Sequence, residues 1–366
     1  MQAQLGWNLV GWSCEFIPWG VRFVFRQQDG KVTEIGLPHR VLYCSFLTEF
    51  VLCTDDCHSG TLVNEGHMNR VVRHAIAQGL KPVTAIQMAT LNTATHFGLE
   101  RELGSITPGR RADLILTSDL VTLPVEVVIA RGRVLAEDGR LSAEIAPYPY
   151  PAAAKSTVRV ARPLTARDFD IAAPEGANEV TARVIGVIEN QAPTRALEAD
   201  LPVEDGLVAM DRKNDVCQIA LVERHRASGT IVNAFVSGFG YDVDCAVAST
   251  VAHDSHHLLV VGTSKADMAQ AANRLAEIGG GVVVVRGGQE LALVELPIAG
   301  LMSDERAEVV AAKADRMVEA MRACGCRLNN AYMQHSLLAL VVIPELRISD
   351  IGLVDVTAFK RTELFV

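Results

Sequence analysis

Two adjacent carboxylates, Asp55 and Asp56, follow directly on the apolar run Phe50-Val51-Leu52. A buried strand ending in an acid delivers a carboxylate to the mouth of a barrel or sheet. There it can bind a divalent metal, accept a proton from metal-bound water, or do both. The same dipeptide also makes a plain Asx turn that caps a strand or the next helix. A second group is His253-Asp254-Ser255-His256-His257, three imidazoles, a carboxylate and a hydroxyl between two apolar runs. His253 and His256 suit ligation or proton transfer, and His225 can join them in space. The competing reading is a polar turn with exposed histidines. Glu65-Gly66-His67 stands close enough in sequence to fold back over the aspartates, although a lone histidine on a helix is commonly structural.

The elements that must position these groups begin with a strand over 50–53. A helix is predicted over 62–78, with Val63, His67, Val71, His74 and Ile76 inward and Gly79 at its end. A second runs over 82–96, opened by Pro82 and using Ile86, Ala89, Thr90 and Ala94 as its apolar positions. Strands follow near 114–116, 125–130 and 133–136, a small antiparallel patch behind the Pro108-Gly109 turn. Pro147, Pro149 and Pro151 mark residues 144–156 as a linker. Beyond it, strands are expected at 182–188, 219–223, 246–250, 258–262 and 282–286. Helices are expected at 266–278, closed by Gly279-Gly280-Gly281, and at 304–324, capped by Ser303. Ser237-Gly238-Phe239-Gly240 and the triple glycine lack the strand–GxGxxG–helix setting of a dinucleotide site and read as tight turns. Residues 1–49 follow no period for long, apart from a possible short strand at 21–26, and they hold all three tryptophans.

Composition narrows the classes. A net charge of −9 disfavours a nucleic-acid partner. No run approaches the ~18 apolar residues of a membrane span, and the N-terminus lacks the basic region of a secretory signal. The eight cysteines are scattered without zinc-site spacing, which fits reduced thiols in the cytoplasm.

The run Leu52-Cys53-Thr54-Asp55-Asp56, then Glu65-Gly66-His67, Ala89-Thr90-Leu91-Asn92-Thr93-Ala94 and Pro108-Gly109-Arg110-Arg111-Ala112-Asp113-Leu114, resembles the end of an amidohydrolase-superfamily enzyme. Thr250-Val251-Ala252-His253-Asp254-Ser255-His256-His257 and Leu296-Pro297-Ile298-Ala299-Gly300-Leu301-Met302-Ser303 narrow the resemblance to the bacterial adenine deaminases, over roughly residues 50–366. The resemblance implies hydrolysis of adenine to hypoxanthine and ammonia, in purine salvage, by a metal-activated hydroxide. The centre would be binuclear, with manganese or iron. It implies an α/β and α+β fold: the end of a (β/α)8 barrel over 50–103, a small β-sandwich piece over 104–143, the linker 144–156, and a C-terminal α+β domain over 157–366. Residues 1–49 stand apart as an irregular segment. Asp55 would lie at the end of the eighth barrel strand, as metal ligand and proton acceptor. Asp56 would assist it, and His67 would lie near the pocket. His253, Asp254 and His256 would act from the C-terminal domain on the substrate side.

The family pattern also calls for a His-Xaa-His pair, and this sequence contains none. Only His39 precedes Asp55. The expectation is therefore a chain with most of the catalytic barrel missing, of reduced or no activity, joined to an aberrant N-terminal segment. The alternatives are a non-catalytic remnant that binds purines or pairs with another subunit, and a different amidohydrolase. Homo-oligomerisation is expected, because helices at 62–96 without neighbouring strands would leave an apolar patch around Val71, Ile86 and Ala89.

Overall fold

The computed structural model describes residues 50–55 and 57–366 in full and, before them, the backbone of three strands. The chain divides into two compact units, Met1–Pro147 and Tyr148–Val366.

In the first unit, β1 (Leu9–Ile17), β2 (Gly20–Gln27) and β3 (Val32–Pro38) pair antiparallel in sequence order. The expected strand at 21–26 lies inside β2, and β1 and β3 pair with it within the segment read as irregular. Trp12 lies on β1, while Trp7, Trp19 and Asp56 lie outside the described residues.

Residues 50–53 are not a strand. Leu52 N–H donates to the carbonyl of Met88 (3.1 Å), and the Asn92 amide donates to that of Phe50 (2.9 Å). A strand needs a neighbouring strand to satisfy its backbone, and helix ends and a side chain serve here instead. The helix expected over 62–78 is two helices, α1 (Ser59–Asn64) and α2 (Met68–Ala77), because Gly66 adopts φ 111° between them. The helix expected over 82–96 breaks at Thr90 into α3 (Pro82–Ala89) and α4 (Leu91–His96). Their shared core is Val72, Ala75, Leu80, Ala85 and Met88 with Leu123. Val63, His67 and His74, expected inward, are exposed, while Val71, Ile86 and Ala89 are half-buried.

The remainder of this unit is a four-stranded antiparallel sheet: β4 (Leu114–Leu116), β5 (Val127–Ala130), β6 (Arg133–Glu137) and β7 (Arg140–Leu141). Arg131-Gly132 and Asp138-Gly139 close its two-residue hairpins with positive φ at both positions, the geometry that matches strand twist. Asp113, the last acid of the Pro-Gly-Arg-Arg-Ala-Asp run, accepts from Arg131 N–H (2.7 Å) and so holds the first of these turns.

The second unit is built on one nine-stranded mixed sheet. Its strands are β8 (Glu179–Val187), β9 (Thr194–Glu204), β10 (Leu207–Val208), β11 (Val216–Val222), β12 (Ile231–Ser237), β13 (Cys245–Ser249), β14 (Leu258–Gly262), β15 (Gly281–Arg286) and β16 (Gln289–Glu295), in the order β10-β9-β8-β12-β11-β14-β13-β15-β16. All neighbours are antiparallel except β8 and β12. The middle strands are buried on both faces. Ile219, Leu221, Val247, Leu259, Val261 and Val284 point to one core, and Ala220, Val222, Ala248, Val260 and Val283 to the other. This is why they read as continuous apolar runs rather than alternating ones.

Helix α5 (Lys265–Ile278) covers the second core with Met268, Ala271, Ala272 and Leu275. Ser264 caps its N-terminus and Gly279, at φ 83°, its C-terminus. Helix α6 (Ala307–Ala323) covers the first core and begins after Arg306, three residues later than the sequence reading placed it. Ser303 instead accepts from Glu305 N–H, in a turn ahead of the helix. The short α7 (Ala331–Ser336) and the antiparallel sheet of β17 (Leu346–Ser349), β18 (Gly352–Asp355) and β19 (Lys360–Thr362) complete that layer.

Two carboxylates in this unit each hold a pair of glycine N–H groups in a turn. Asp215 accepts from Gly238 and Gly240 at 2.8 and 2.7 Å. Asp267 accepts from Gly287 and Gly288 at 2.9 and 2.8 Å.

Candidate functional site

Strands β11 and β13 end, and β14 and β15 begin, on one edge of the large sheet. The connections there gather the candidate site residues of the second unit. Residues 253–257 link β13 to β14. His256 takes φ 50°, and its ring Nδ1 accepts from Ala252 N–H (3.2 Å), so the segment folds back on itself. His253 N–H donates to the carbonyl of Ser336 at the end of α7 (2.9 Å). The rings of His253 and His256, both half-buried, meet edge to face with centroids 5.4 Å apart. Asp254 is exposed.

His225 does join this group. Its ring lies 4.7 Å from that of His257, and its Nε2 bonds the carbonyl of Ser255 (2.8 Å). His257 is buried and stands 3.7 Å from Asp350. Burial, and then the neighbouring His225, hold its pKa below the ordinary histidine value.

The residue missed from sequence is Arg224, 1 % exposed. Its Nε donates to the carbonyl of His256 (2.5 Å) and its Nη2 to that of Ala299 (3.2 Å). Gly300 packs against the guanidinium so closely that a Cβ there would stand 2.8 Å from Nη1. Burial lowers the Arg224 pKa to about 10, which leaves it charged at neutral pH. Beside it, Glu223 accepts from the backbone N–H groups of His225, Arg226 and Ser228. Burial pushes the Glu223 carboxyl up, but these bonds and the Ser228 hydroxyl outweigh it and hold the group at about 2. The available signal was Glu223-Arg224 itself, two charges directly after an apolar strand. Thr250 completes the fastening by donating to Gly300 O (2.6 Å) and accepting from Gly281 N–H (2.8 Å).

The sites expected in the first unit are less assembled. Asp55 is exposed, at φ 50°, in a connection without strand pairing. His58 caps α1 by accepting from Gly60 N–H (3.1 Å). His67 is exposed between α1 and α2, and its N–H donates to the Asn69 side chain (2.9 Å). Among the described residues, no three His, Cys, Asp or Glu side chains converge closely enough to hold a metal ion.

Comparison with known proteins gives two family matches in tandem. Residues 42–135 match the amidohydrolase family, and residues 191–360 match the adenine deaminase C-terminal domain. Adenine deaminase 3 of Rhizobium meliloti (strain 1021) is 72 % identical over 339 residues, 93 % of this chain and 56 % of that protein. Adenine deaminase of Mesorhizobium japonicum is 70 % identical, over 93 % of this chain and 55 % of the relative. That of Rubrobacter xylanophilus is 50 % identical, over 88 % and 52 %. The chain thus spans about half the length of the curated relatives it matches. Over that span, from amidohydrolase sequence through the C-terminal domain, it is similar to the adenine deaminases.

Proposed function

We propose that this sequence serves the hydrolytic deamination of adenine to hypoxanthine and ammonia, in purine salvage in the cytoplasm. The observation that carries the reading is the 72 % identity to a named adenine deaminase across 339 residues. Residues 50–103 are read as the end of an amidohydrolase barrel and 104–143 as part of its β-sandwich, supported by the family match over 42–135. Adenine is the proposed substrate and a homo-oligomer the proposed assembly. No helix among the described residues is long and apolar enough to cross a membrane.

The amidohydrolase match implies a divalent metal, with manganese or iron proposed. The described side chains do not fit one: Asp55 is solvent-exposed and no group of three donors converges. What the chain's own residues offer is recognition and proton transfer. Imidazoles such as His253 and His256 can donate to one purine nitrogen and accept from the amino group. Asp254 can orient them. Asp55, Asp56 and His67 are proposed proton-handling or substrate-facing groups of the amidohydrolase part.

A second reading, favoured by the unfitted donor set, is a non-catalytic chain that binds purine or pairs with another subunit. An absorbance assay for hypoxanthine on the 366-residue chain, titrated with manganese and iron(II), tests the first. Calorimetry with adenine runs beside it. Turnover with stoichiometric metal supports deamination by this chain. Adenine binding without turnover supports the purine-binding form of the second reading, and absence of both overturns deamination and purine binding by this chain.

A further inference from the structure

We propose that Arg224 is the positioning residue of the 253–257 loop, locking it, the 296–303 segment and the incoming strap 152–159 into one arrangement. The inference deepens the reading above, on which the loop's importance rests. The Arg224 side chain grips two diverging carbonyls, those of His256 and Ala299. Its own carbonyl accepts from Arg159 N–H (2.8 Å), and Ala299 N–H donates in turn to Ala154 O (2.6 Å). Lys155 adds an ion pair with Asp304 (2.7 Å). Three segments distant in sequence thus close a ring through one buried residue. No carboxylate lies within ion-pair distance of Arg224 among the described residues. The two carbonyls satisfy Nε and Nη2, while Nη1 is buried without a hydrogen-bond partner, and a planar fork is what can reach both carbonyls at once. Gly300 allows the fit, since a side chain there would strike the guanidinium.

The test is amide hydrogen exchange on the full chain, followed residue by residue. In the unmodified protein the amides of His256, Ala299 and Arg159 report one opening. They should therefore share protection within about threefold and one urea dependence. Unrelated protection or unlike urea slopes would overturn the lock. In Arg224→Met, exchange at His256 and Ala299 should accelerate at least about tenfold, while Val247 and Val283 in the central strands keep their protection. Arg224→Lys keeps the charge but loses the fork, so it should restore little of that protection. Full restoration by lysine, or wild-type protection in a folded methionine variant, overturns the assignment. Should either variant fail to fold, the shared opening in the unmodified chain still decides. Calorimetry with adenine on the same samples separates the two levels. A shared opening without adenine binding sinks the functional reading and leaves the lock standing.

Discussion

His225 and His257 face each other across 4.7 Å, one exposed and the other buried, at the edge of the sheet where β11 ends and β14 begins. The groups around His257 are His225, Asp350, Glu223 and Arg224, and burial is the largest influence, favouring the neutral ring. Removing one imidazole changes the charge environment of the other. In His225→Ala, His257 should titrate at a higher pH than in the unmodified chain, closer to the ordinary ~6.5. NMR titration of the ring protons measures it, and an unmoved or falling midpoint contradicts the pairing.

His335 gives a stability prediction with a definite sign. It is fully buried, bonded through Nε2 to Val247 O (3.2 Å), and burial drives its pKa down to about 4. Above pH ~6.5 the ring is neutral in both folded and unfolded chains, and nothing is lost. As pH falls below that, the unfolded state takes the proton first, so stability declines until about pH 4. The depressed pKa corresponds to roughly 3 kcal/mol across the window. Urea midpoints between pH 7 and 4, compared with His335→Gln, should show a shallower decline in the variant.

Arg347 is enclosed without a carboxylate. Its guanidinium serves the carbonyls of Ile343 and Leu337 at 2.8 Å and also that of Ala192. Arg347→Met strands several buried acceptors, at about 1–3 kcal/mol each. The expected loss is several kcal/mol in denaturant unfolding, with Arg347→Lys recovering only part of it. A variant within about 0.5 kcal/mol of the parent would remove Arg347 from the set of structural anchors.

Asp267 should behave as a turn-holding acid. Asp267→Asn retains one acceptor oxygen for the Gly287-Gly288 turn and loses the charge beside the α5 N-terminus. A loss of about 1–2 kcal/mol is expected. Asp267→Ala should cost more, and equal stability of the two variants would contradict the carboxylate's double acceptance.

The second unit was far more legible in sequence than the first. Its middle strands are buried on both faces, so apolar runs such as 258–262 and 282–285 announce themselves, and Ser264 with Gly279 brackets α5 in plain chemistry. The breaks at Gly66 and Thr90 were not legible, because a glycine or threonine inside a helical pattern is normally tolerated. The run at 50–53 misled because β composition marks only a willingness to pair, and the partner here is Met88 O. At the candidate site, the histidines of 253–257 stood out by type. Arg224 did not, because the carbonyls that explain its burial come from segments 32 and 75 residues away in sequence.

The apolar richness of β15 carries a consequence for how that strand finds its place. Val282, Val283, Val284 and Val285 are four identical side chains, alternately feeding two separate cores. A slip of one residue would exchange their faces without changing what either core receives, so the valines are blind to their own alignment. The strand's two ends supply the information its middle lacks. At Gly281 a Cβ would fall 2.3 Å from Val294 O, so that position admits only glycine. At the other end Asp267 grips Gly287 and Gly288. The alignment of this run of valines is thus written in three glycines and one aspartate.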